Sequence, residues 1–389
     1  MLGDVRRLLY AGQCNCAYWH GVFGGLYLTH LRRAVYAHLI GAQQLIDQAM
    51  EQCHRSLQRQ PRRAGPRRGR VIQGERGVDG PAAGTSGIVS LEADGDGRDE
   101  IRLKTPAMEV LIDPEEAGTL TEWSLFGPRV NLLDTLSRRP EPYHDKLKKP
   151  RPFPSTELLT RLMMPAGLGA ARLSTAPKAH ESVRSLHDVL GVKEENLARY
   201  LVYDGHRRSA LVDYAFEVMP PLREASSPTW AARRLWPPGP FQWDPKASDR
   251  ETPGELCVTL VREVGSGCLR KTVRVKEAHP RLECEYELED LEVPVVALEF
   301  NLSLRDERYL APAQQRYGVG RFEVREPASG VALNLGIDPP ASVLVFPVET
   351  ISESEEGLER TYQGLCLVCL WMLRDWHGSW RARLGWTVG

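Results

Sequence analysis

Length, composition and charge indicate a soluble globular chain with no strong charge preference. The chain has 389 residues, 42% of them hydrophobic, and its 50 Lys and Arg residues nearly balance 51 Asp and Glu residues. This balance gives no overall attraction to nucleic acid or to an acidic membrane surface. No apolar run reaches the roughly 20 residues of a membrane-spanning helix, and the first twelve residues lack the apolar core and cleavage site of a secretory signal. We therefore expect a cytoplasmic protein with neither a nucleic-acid nor a membrane partner.

Residues 1–55 are predicted to form a loop followed by an amphipathic helix. Apolar residues recur every three or four positions over 28–53, which is the spacing of one helical stripe. Gly24 and Gly25 allow the chain to turn into this helix, and Thr29 can cap its N-terminus. The stripe has no packing partner within residues 1–55. It must therefore pack on a later part of the chain or on another polypeptide.

Residues 56–98 are predicted to be a disordered linker. The segment is rich in Arg, Gly and Pro and poor in large apolar residues, so it cannot bury enough surface to offset the entropy cost of ordering. The arginines also resemble a basic nucleic-acid-binding tail. That alternative is the weaker one, because no aromatic residues are interleaved for base stacking.

From residue 99 to residue 389 the pattern predicts a β domain. Residues 282–288 and 298–304 alternate between apolar and polar side chains, which indicates antiparallel strands with one exposed face. Further strand candidates are 109–112, 120–126, 208–216, 256–264, 268–277, 319–326, 342–349 and 362–374. A single open sheet of so many strands would leave faces and edges unprotected. The predicted fold is therefore mainly β, a large antiparallel β-sandwich preceded by a short α-helical segment.

Eight cysteines raise the question of a disulfide framework or a metal site. In a long chain without a secretory signal, reduced thiols are the expected state. Cys14 with Cys16 and Cys366 with Cys369 could be two halves of a metal site. The second pair lies in a predicted strand, however, where positions three apart point to opposite faces. Buried small residues are the favoured interpretation, and we assign no metal and no cofactor.

A cluster of polar and aromatic side chains precedes the predicted helix. Residues 13–28 run Gln-Cys-Asn-Cys-Ala-Tyr-Trp-His-Gly-Val-Phe-Gly-Gly-Leu-Tyr-Leu, and Leu31-Arg32 follow. This order resembles the last motif block of glycoside hydrolase family 57, in its 4-α-glucanotransferase and α-amylase branch. Residues 131–144 resemble the β-sandwich segment of the same family, and parts of 186–208 resemble a further piece. The resemblance covers most of the chain, apart from the linker and the loop 148–179.

The resemblance implies a fold and a separation of the catalytic domain from the domains that follow it. In that family a catalytic barrel with a nucleophilic Glu and an acid/base Asp comes first, and a helical segment and a galactose-mutarotase-like β-sandwich follow. Both carboxylates lie upstream of the block that begins this chain, and retaining glycosyl transfer requires such a pair about 5 Å apart. The resemblance therefore implies the C-terminal, carbohydrate-associated domain of an enzyme of α-glucan metabolism. We assign no catalytic residue and expect no glycosyl transfer by this chain alone.

The resemblance also implies a sugar subsite at Asn15, Trp19 and His20. An indole face stacks on a sugar ring, while an amide and an imidazole bond its hydroxyls. Cys16 departs from the family, which has Asp at this place, and a thiol accepts sugar hydroxyls poorly. The alternative is that Trp19 only caps the helix and packs on the β-sandwich. The two interpretations have equal weight.

A second polar cluster lies in the segment that resembles the family's β-sandwich. Its members are Asp134, Arg138, Arg139, Glu141, Tyr143 and His144. They could contact a glucan or the barrel, but a charged network that fixes a strand-to-loop transition is favoured. Three functional hypotheses remain: a subunit that docks on a separately encoded catalytic barrel, a free-standing module that binds α-glucan or maltooligosaccharide, and a purely structural module.

Overall fold

A helical segment and a β domain make up the computed structural model, which describes residues 2–19, 24–59, 86–148, 196–221, 224–247, 253–310, 313–354, 357–373 and 378–389. The helices are α1 (Leu2–Gly12), α2 (Thr29–Arg59), α3 (Asp145–Lys148) and α4 (Pro228–Ala232). The prediction of a loop before α2 is wrong over residues 2–12, where α1 forms. Thr29 is the first residue of α2 and not the residue that precedes it, and its hydroxyl donates to the carbonyl of Tyr362 at 2.8 Å.

The helix α1 packs along α2 through small residues. A Cβ atom at Gly12 would lie 2.6 Å from Cδ2 of Leu39, and one at Gly41 would lie 3.4 Å from Cδ1 of Leu8. Both glycines therefore allow the two helices to approach closely. The apolar stripe of α2 is buried only in its first half, since Ile46 and Met50 are exposed.

The described residues of the β domain form fifteen strands, all paired antiparallel. They are β1 (Gly87–Leu91), β2 (Glu100–Lys104), β3 (Met108–Asp113), β4 (Thr119–Leu125), β5 (Val130–Asn131), β6 (Ala210–Phe216), β7 (Gln242–Trp243), β8 (Glu255–Val264), β9 (Gly267–Lys276), β10 (Arg281–Glu289), β11 (Val295–Leu302), β12 (Gln314–Glu326), β13 (Val331–Ser354), β14 (Gly357–Met372) and β15 (Trp380–Val388). Their main path is β1-β2-β3-β4-β6-β11-β14-β13-β15-β10-β9-β8-β7.

This path folds back on itself to form two facing layers. Trp386 of β15 contacts Trp123 of β4 with ring centroids 6.0 Å apart, and Phe300 of β11 at 5.4 Å. One hydrophobic core contains side chains from β2 to β4 together with side chains from β8 to β10. The predicted antiparallel β-sandwich is therefore confirmed.

The 24-residue strand β13 connects the two layers. Its first part, Leu333–Asp338, pairs with β15, and its second part, Ser342–Ser354, pairs with β14. One strand thus contributes backbone hydrogen bonds to both layers. This is a usual way to make the corner of a sandwich.

The structure differs from the sequence prediction at both ends of the segment 56–98. Helix α2 extends to Arg59, and β1 lies at Gly87–Leu91, where it pairs with β2 in an antiparallel ladder. Backbone hydrogen bonding to β2 orders this short apolar run, which composition alone assigned to the linker. The middle of the predicted linker, residues 60–85, lies outside the described residues.

A charged side chain lies inside the sandwich. Lys271 of β9 is fully buried, and its ammonium group donates to the carbonyls of Ala117 and Leu211, each at 2.8 Å. Its ion pair with Asp213 of β6 is 2.6 Å long. Burial lowers the pKa of Lys271, and Asp213 opposes that change. Because Asp213 lies on the layer opposite Lys271, this ion pair helps to join the two layers.

Candidate functional site

The motif loop, which we define as residues 14–28, contains two 3₁₀ turns in its described parts, residues 14–19 and 24–28. These are Asn15–Ala17 and Gly25–Tyr27. Gly25 has a φ of +43°, and a Cβ atom there would overlap the carbonyl oxygen of Trp19. That carbonyl accepts the N–H of Leu26 at 2.8 Å. Only glycine fits at position 25 while this bond closes the loop.

The motif loop presents aromatic rings to solvent. Trp19 is 65% exposed and Tyr18 is 56% exposed. The hydroxyl of Tyr18 donates to the carbonyl of Gly12 at 2.7 Å, which fixes this ring against the end of α1. Asn15 is also exposed. An exposed indole beside an amide can stack on a sugar ring and bond its hydroxyls. His20 lies outside the described residues.

Tyr27 anchors the end of the motif loop in the β-sandwich. Its ring is buried and its hydroxyl donates to Glu141, which also accepts from Nε of Arg139 at 2.9 Å. The carbonyl of Tyr27 accepts from the amide of Gln363 on β14 at 3.0 Å. Burial, together with the hydrogen bond to Glu141, raises the pKa of Tyr27 to about 12. Tyr27 is therefore a neutral hydrogen-bond donor at physiological pH.

Arg32 forms the second anchor of the motif loop. Its Nε lies 3.1 Å from Oδ1 and 3.2 Å from Oδ2 of Asp134, and its Nη2 donates to the Asp134 carbonyl at 3.1 Å. Its Nη1 donates to the carbonyl of Leu26 at 2.6 Å. Both side chains are buried. Burial raises the pKa of Asp134, and the charge of Arg32 opposes that change. One guanidinium group thus ties the helix, the motif loop and the β-sandwich together.

Arg138 belongs to a different, buried network. Its guanidinium contacts Asp204, with Nη2 2.6 Å from Oδ1, and Asp204 also pairs with Arg208 at 2.6 Å. Arg208 in turn pairs with Glu299 of β11 at 3.0 Å. Burial alone would raise the pKa of Asp204, but Arg208 and Arg138 outweigh it and lower this pKa to about 2. The network holds the segments before β6 and after β5 against β11.

His144 closes the segment that contains Glu141. Its Nδ1 accepts the N–H of Glu141 at 3.1 Å, and its Nε2 lies 2.9 Å from the carbonyl of Ile351. These partners assign the proton to Nε2, so the ring is neutral. Burial lowers the pKa of His144. Tyr143 packs edge-on against this ring, with centroids 4.9 Å apart.

The structure divides the second polar cluster among three sets of contacts. Asp134 pairs with Arg32, Arg139 and Glu141 contact Tyr27, and Arg138 joins the Asp204 network. A void of only about 10 Å³ lies among Arg138, Arg139 and His144. It has room for about one water molecule. A sugar ring therefore does not fit there as the side chains stand.

Some functional contacts were not predicted from the sequence. Tyr27 and Arg32 lie inside the motif block, but their partners lie more than a hundred residues away, so no local pattern pairs them. Lys271 left a weak signal, because it occupies an inward position of an alternating strand. No sequence pattern indicated the pairing of Arg208 with Glu299.

A cluster of carboxylates resembles a glycosidase pair by distance alone. Oxygen atoms of Asp94, Glu100 and Asp113 lie within 4.8 Å of one another. Oε2 of Glu100 accepts the N–H of Ala93 at 2.6 Å, and Oδ1 of Asp113 accepts the N–H of Glu115 at 2.8 Å. These carboxylates thus bond the backbone of their own turns. None of the three lines either of the clefts of about 630 and 260 Å³.

The fold is a helical segment joined to a β-sandwich, and family models match both parts. The family described as "Alpha-amylase/4-alpha-glucanotransferase, C-terminal" matches residues 92–384, and "Alpha-amylase/4-alpha-glucanotransferase, middle domain" matches residues 2–46. The chain therefore belongs to the alpha-amylase/4-alpha-glucanotransferase family and corresponds to its middle and C-terminal domains.

Curated relatives support this assignment over nearly the whole chain. Alpha-amylase 1 of Dictyoglomus thermophilum is 26% identical over 98% of this chain and 48% of its own length. The 4-alpha-glucanotransferase of Thermococcus kodakarensis is 25% identical over 98% of this chain and 47% of its own length. The chain thus spans about half the length of the curated relatives it matches.

A solved structure agrees on the fold. The crystal structure of 4-alpha-glucanotransferase from Thermococcus litoralis matches with a TM-score of 0.65 and 21% identity, over 99% of this chain and 48% of that one. A galactose mutarotase-like protein from Clostridium acetobutylicum covers 78% of this chain at a TM-score of 0.39 and 6% identity. Within the described residues, no helix has the length and apolar character needed to cross a membrane.

Replacing Arg32 should release the motif loop. We expect Arg32→Met to lower the free energy of unfolding by about 3–5 kcal/mol, because it leaves the buried Asp134 carboxylate without its charged partner. Arg55→Met on the same helix is the matched control, since Arg55 is exposed and pairs only with Glu51 and should change stability by less than about 1 kcal/mol. Urea unfolding followed by circular dichroism measures both. Equal effects of the two substitutions would contradict the anchoring role.

Asp204 should make stability depend on pH at acidic values. Its pKa in the folded protein is lowered from 3.8 to about 2, so its contribution is complete above pH 4 and is lost as the pH falls towards 2. The shift corresponds to about 2 kcal/mol. We expect the stability difference between the native protein and Asp204→Asn to shrink by about this amount between pH 5 and pH 2. The exposed Asp145→Asn variant is the control. Parallel pH profiles for the native protein and Asp204→Asn would contradict this assignment.

Proposed function

We propose that this chain is the carbohydrate-associated part of a family 57 glycoside hydrolase and that its motif loop forms part of an α-glucan subsite. The ligand is starch, glycogen or a maltooligosaccharide, and Asn15, Trp19 and His20 are the contact residues. Support comes from one observation above all: Trp19 is 65% exposed on a loop that Arg32 and Tyr27 fix to the sandwich. A rigid, exposed indole costs little entropy when it stacks on a sugar.

The proposal assigns no glycosyl transfer to this chain by itself. Asp204 and Glu299 pair with Arg side chains, and Glu100 and Asp113 accept backbone N–H groups. A retaining mechanism needs one carboxyl group free to attack and another free to give its proton. A cytoplasmic location is part of the same proposal. It is supported by the free thiols of Cys284, Cys366 and Cys369, which suit a reducing compartment.

Titration with maltoheptaose tests the subsite. We expect Trp19→Ala to weaken binding by about tenfold, because the stacking surface is lost, while circular dichroism stays unchanged. Tyr317→Ala is the matched control, since Tyr317 is 76% exposed and lies on β12, outside the motif loop. We also expect that the native protein does not convert maltotriose into longer or shorter products.

Two results would contradict the proposal in different ways. Equal affinity in the native protein and Trp19→Ala would remove the subsite. A ladder of longer and shorter products from maltotriose would show that the chain transfers glycosyl groups unaided. If the chain transfers glycosyl groups and Trp19→Ala binds maltoheptaose as tightly as the native protein does, both the subsite and the absence of glycosyl transfer are wrong.

A second candidate function is docking on a catalytic barrel carried by another polypeptide or by a longer form of this chain. Leu2 and Leu9 lie seven residues apart on α1, hence on one face, and both are exposed together with Tyr10. Such an apolar face on a surface helix favours a protein partner. Because α1 lies beside the motif loop, docking through α1 would place Trp19 at the edge of the barrel.

Co-purification from the producing cells tests this docking. We expect a barrel-containing glycoside hydrolase, identified by mass spectrometry, to accompany the native chain and to be lost in Leu9→Glu, because a charge at the contact costs desolvation energy. Leu235→Glu is the matched control, since Leu235 is 39% exposed, as Leu9 is, and lies in the loop after α4. Retention of the barrel protein by Leu9→Glu would reject α1 as the docking surface.

A further inference from the structure

A cleft of about 260 Å³ lies on the β domain, and none of its lining residues belongs to the motif loop. Three segments meet there: the turn between β3 and β4, the segment that leads into β6, and the loop after α4. The residues that matter for its chemistry are Glu116, Thr119, His206, Arg207 and Arg234. Its size suits a ligand no larger than a substituted monosaccharide.

Arg234 presents an unsatisfied edge in this cleft. Its guanidinium carbon lies 4.1 Å from the ring centroid of Tyr214, so the aromatic ring supports the side chain from below. Nε and Nη2 are buried and have no hydrogen-bond partner among the described residues. Two such N–H groups on one edge of a guanidinium match the two oxygens of a carboxylate or phosphate.

Thr119 adds a second unsatisfied group to the same cleft. The residue is only 3% exposed, and its Oγ1 has no hydrogen-bond partner among the described residues. A buried hydroxyl normally finds a partner. Arg234 and Thr119 come from segments far apart in sequence. Their convergence on one cleft therefore does not follow from local chain geometry.

The charges around the cleft favour a negatively charged ligand. Glu116 lies 3.7 Å from Arg207, and Glu115 pairs with Arg98, so both carboxylates already have a cationic partner. Arg234 has no ion pair with a described residue. The guanidinium of Arg262 stands behind Gly239 of the same loop, where its Nη2 donates to the carbonyl of Pro237 at 2.9 Å. An uncompensated guanidinium in a partly enclosed site attracts an anion.

We propose that this cleft binds the oxyanion group of a small metabolite, a phosphate or a carboxylate, with Arg234 as the bidentate donor and Thr119 as a further donor. A neutral sugar fits less well, because the unsatisfied atoms are donors and the uncompensated charge is positive. The site is separate from the motif loop and does not depend on glucan binding there. Because Nε and Nη2 are buried, ligand binding in this proposal requires the Arg234 side chain to rotate so that this edge faces the cleft.

Calorimetric titration tests the site with four probes: inorganic phosphate, glucose 6-phosphate, gluconate and glucose. Binding of free phosphate alone would identify the inorganic ion as ligand, whereas tighter binding of glucose 6-phosphate or gluconate would identify a phosphorylated sugar or a sugar acid. We expect at least one anion to bind and glucose not to bind. Arg234→Gln should weaken binding by about tenfold or more, and Thr119→Val by a smaller factor.

The matched control is Arg233→Gln, because Arg233 is adjacent, exposed and paired with Glu224 at 2.9 Å. It should bind as the native protein does. Arg234→Lys keeps the charge but loses the two-pronged edge, so it should also bind more weakly. If Arg234→Gln does not fold, Arg234→Lys and Thr119→Val decide the question.

Three outcomes would overturn the proposal. One is that none of the three anions binds at about 10 mM, the limit of a useful affinity for a small metabolite. Another is equal loss in Arg233→Gln and Arg234→Gln, which would mean only general attraction to positive charge. The third is that glucose binds as tightly as the anions, which would make the cleft a neutral sugar site. Trp19→Ala should leave anion binding unchanged, so failure here is distinguishable from failure of the glucan subsite.

Discussion

The ion pair between Arg32 and Asp134 is the contact on which the position of the motif loop depends. Asp134 is buried, and a buried carboxylate is costly unless a cation and hydrogen bonds compensate it. Arg32 provides that compensation only when α2 begins where it does, and the same guanidinium also binds the carbonyl of Leu26. The motif loop, α2 and the β-sandwich therefore adopt one relative arrangement. This arrangement sets the position of the exposed indole of Trp19.

Buried charge has a similar role inside the β domain. The segments before β6 and after β5 have little regular structure, yet Arg138, Asp204 and Arg208 hold them to Glu299 of the central strand β11. Breaking one member of such a network leaves another buried charge without a partner, which is why these pairs specify one geometry more than they add net stability. The cleft at Arg234 differs, because there the charge has no partner among the described residues.

Sequence patterns predicted the β domain because period-two alternation reports directly on which face of a strand is buried. Residues 282–288 and 298–304 lie in or at β10 and β11 for that reason. Helix α1 was missed although Leu2, Val5 and Leu9 recur at helical spacing. β15 was missed although Trp380, Ala382, Leu384 and Trp386 alternate inward. The pairing of Tyr27 with Glu141 depends on tertiary folding, so only the family resemblance pointed to both segments.

The long strand β13 has a consequence for how the domain comes apart. Its first part pairs with one layer and its second part with the other, so neither layer can separate while this strand remains intact. Loss of order in one half would withdraw hydrogen bonds from its neighbour at the same time. The two layers therefore behave as one cooperative unit, and partial melting of either is disfavoured relative to an all-or-none transition.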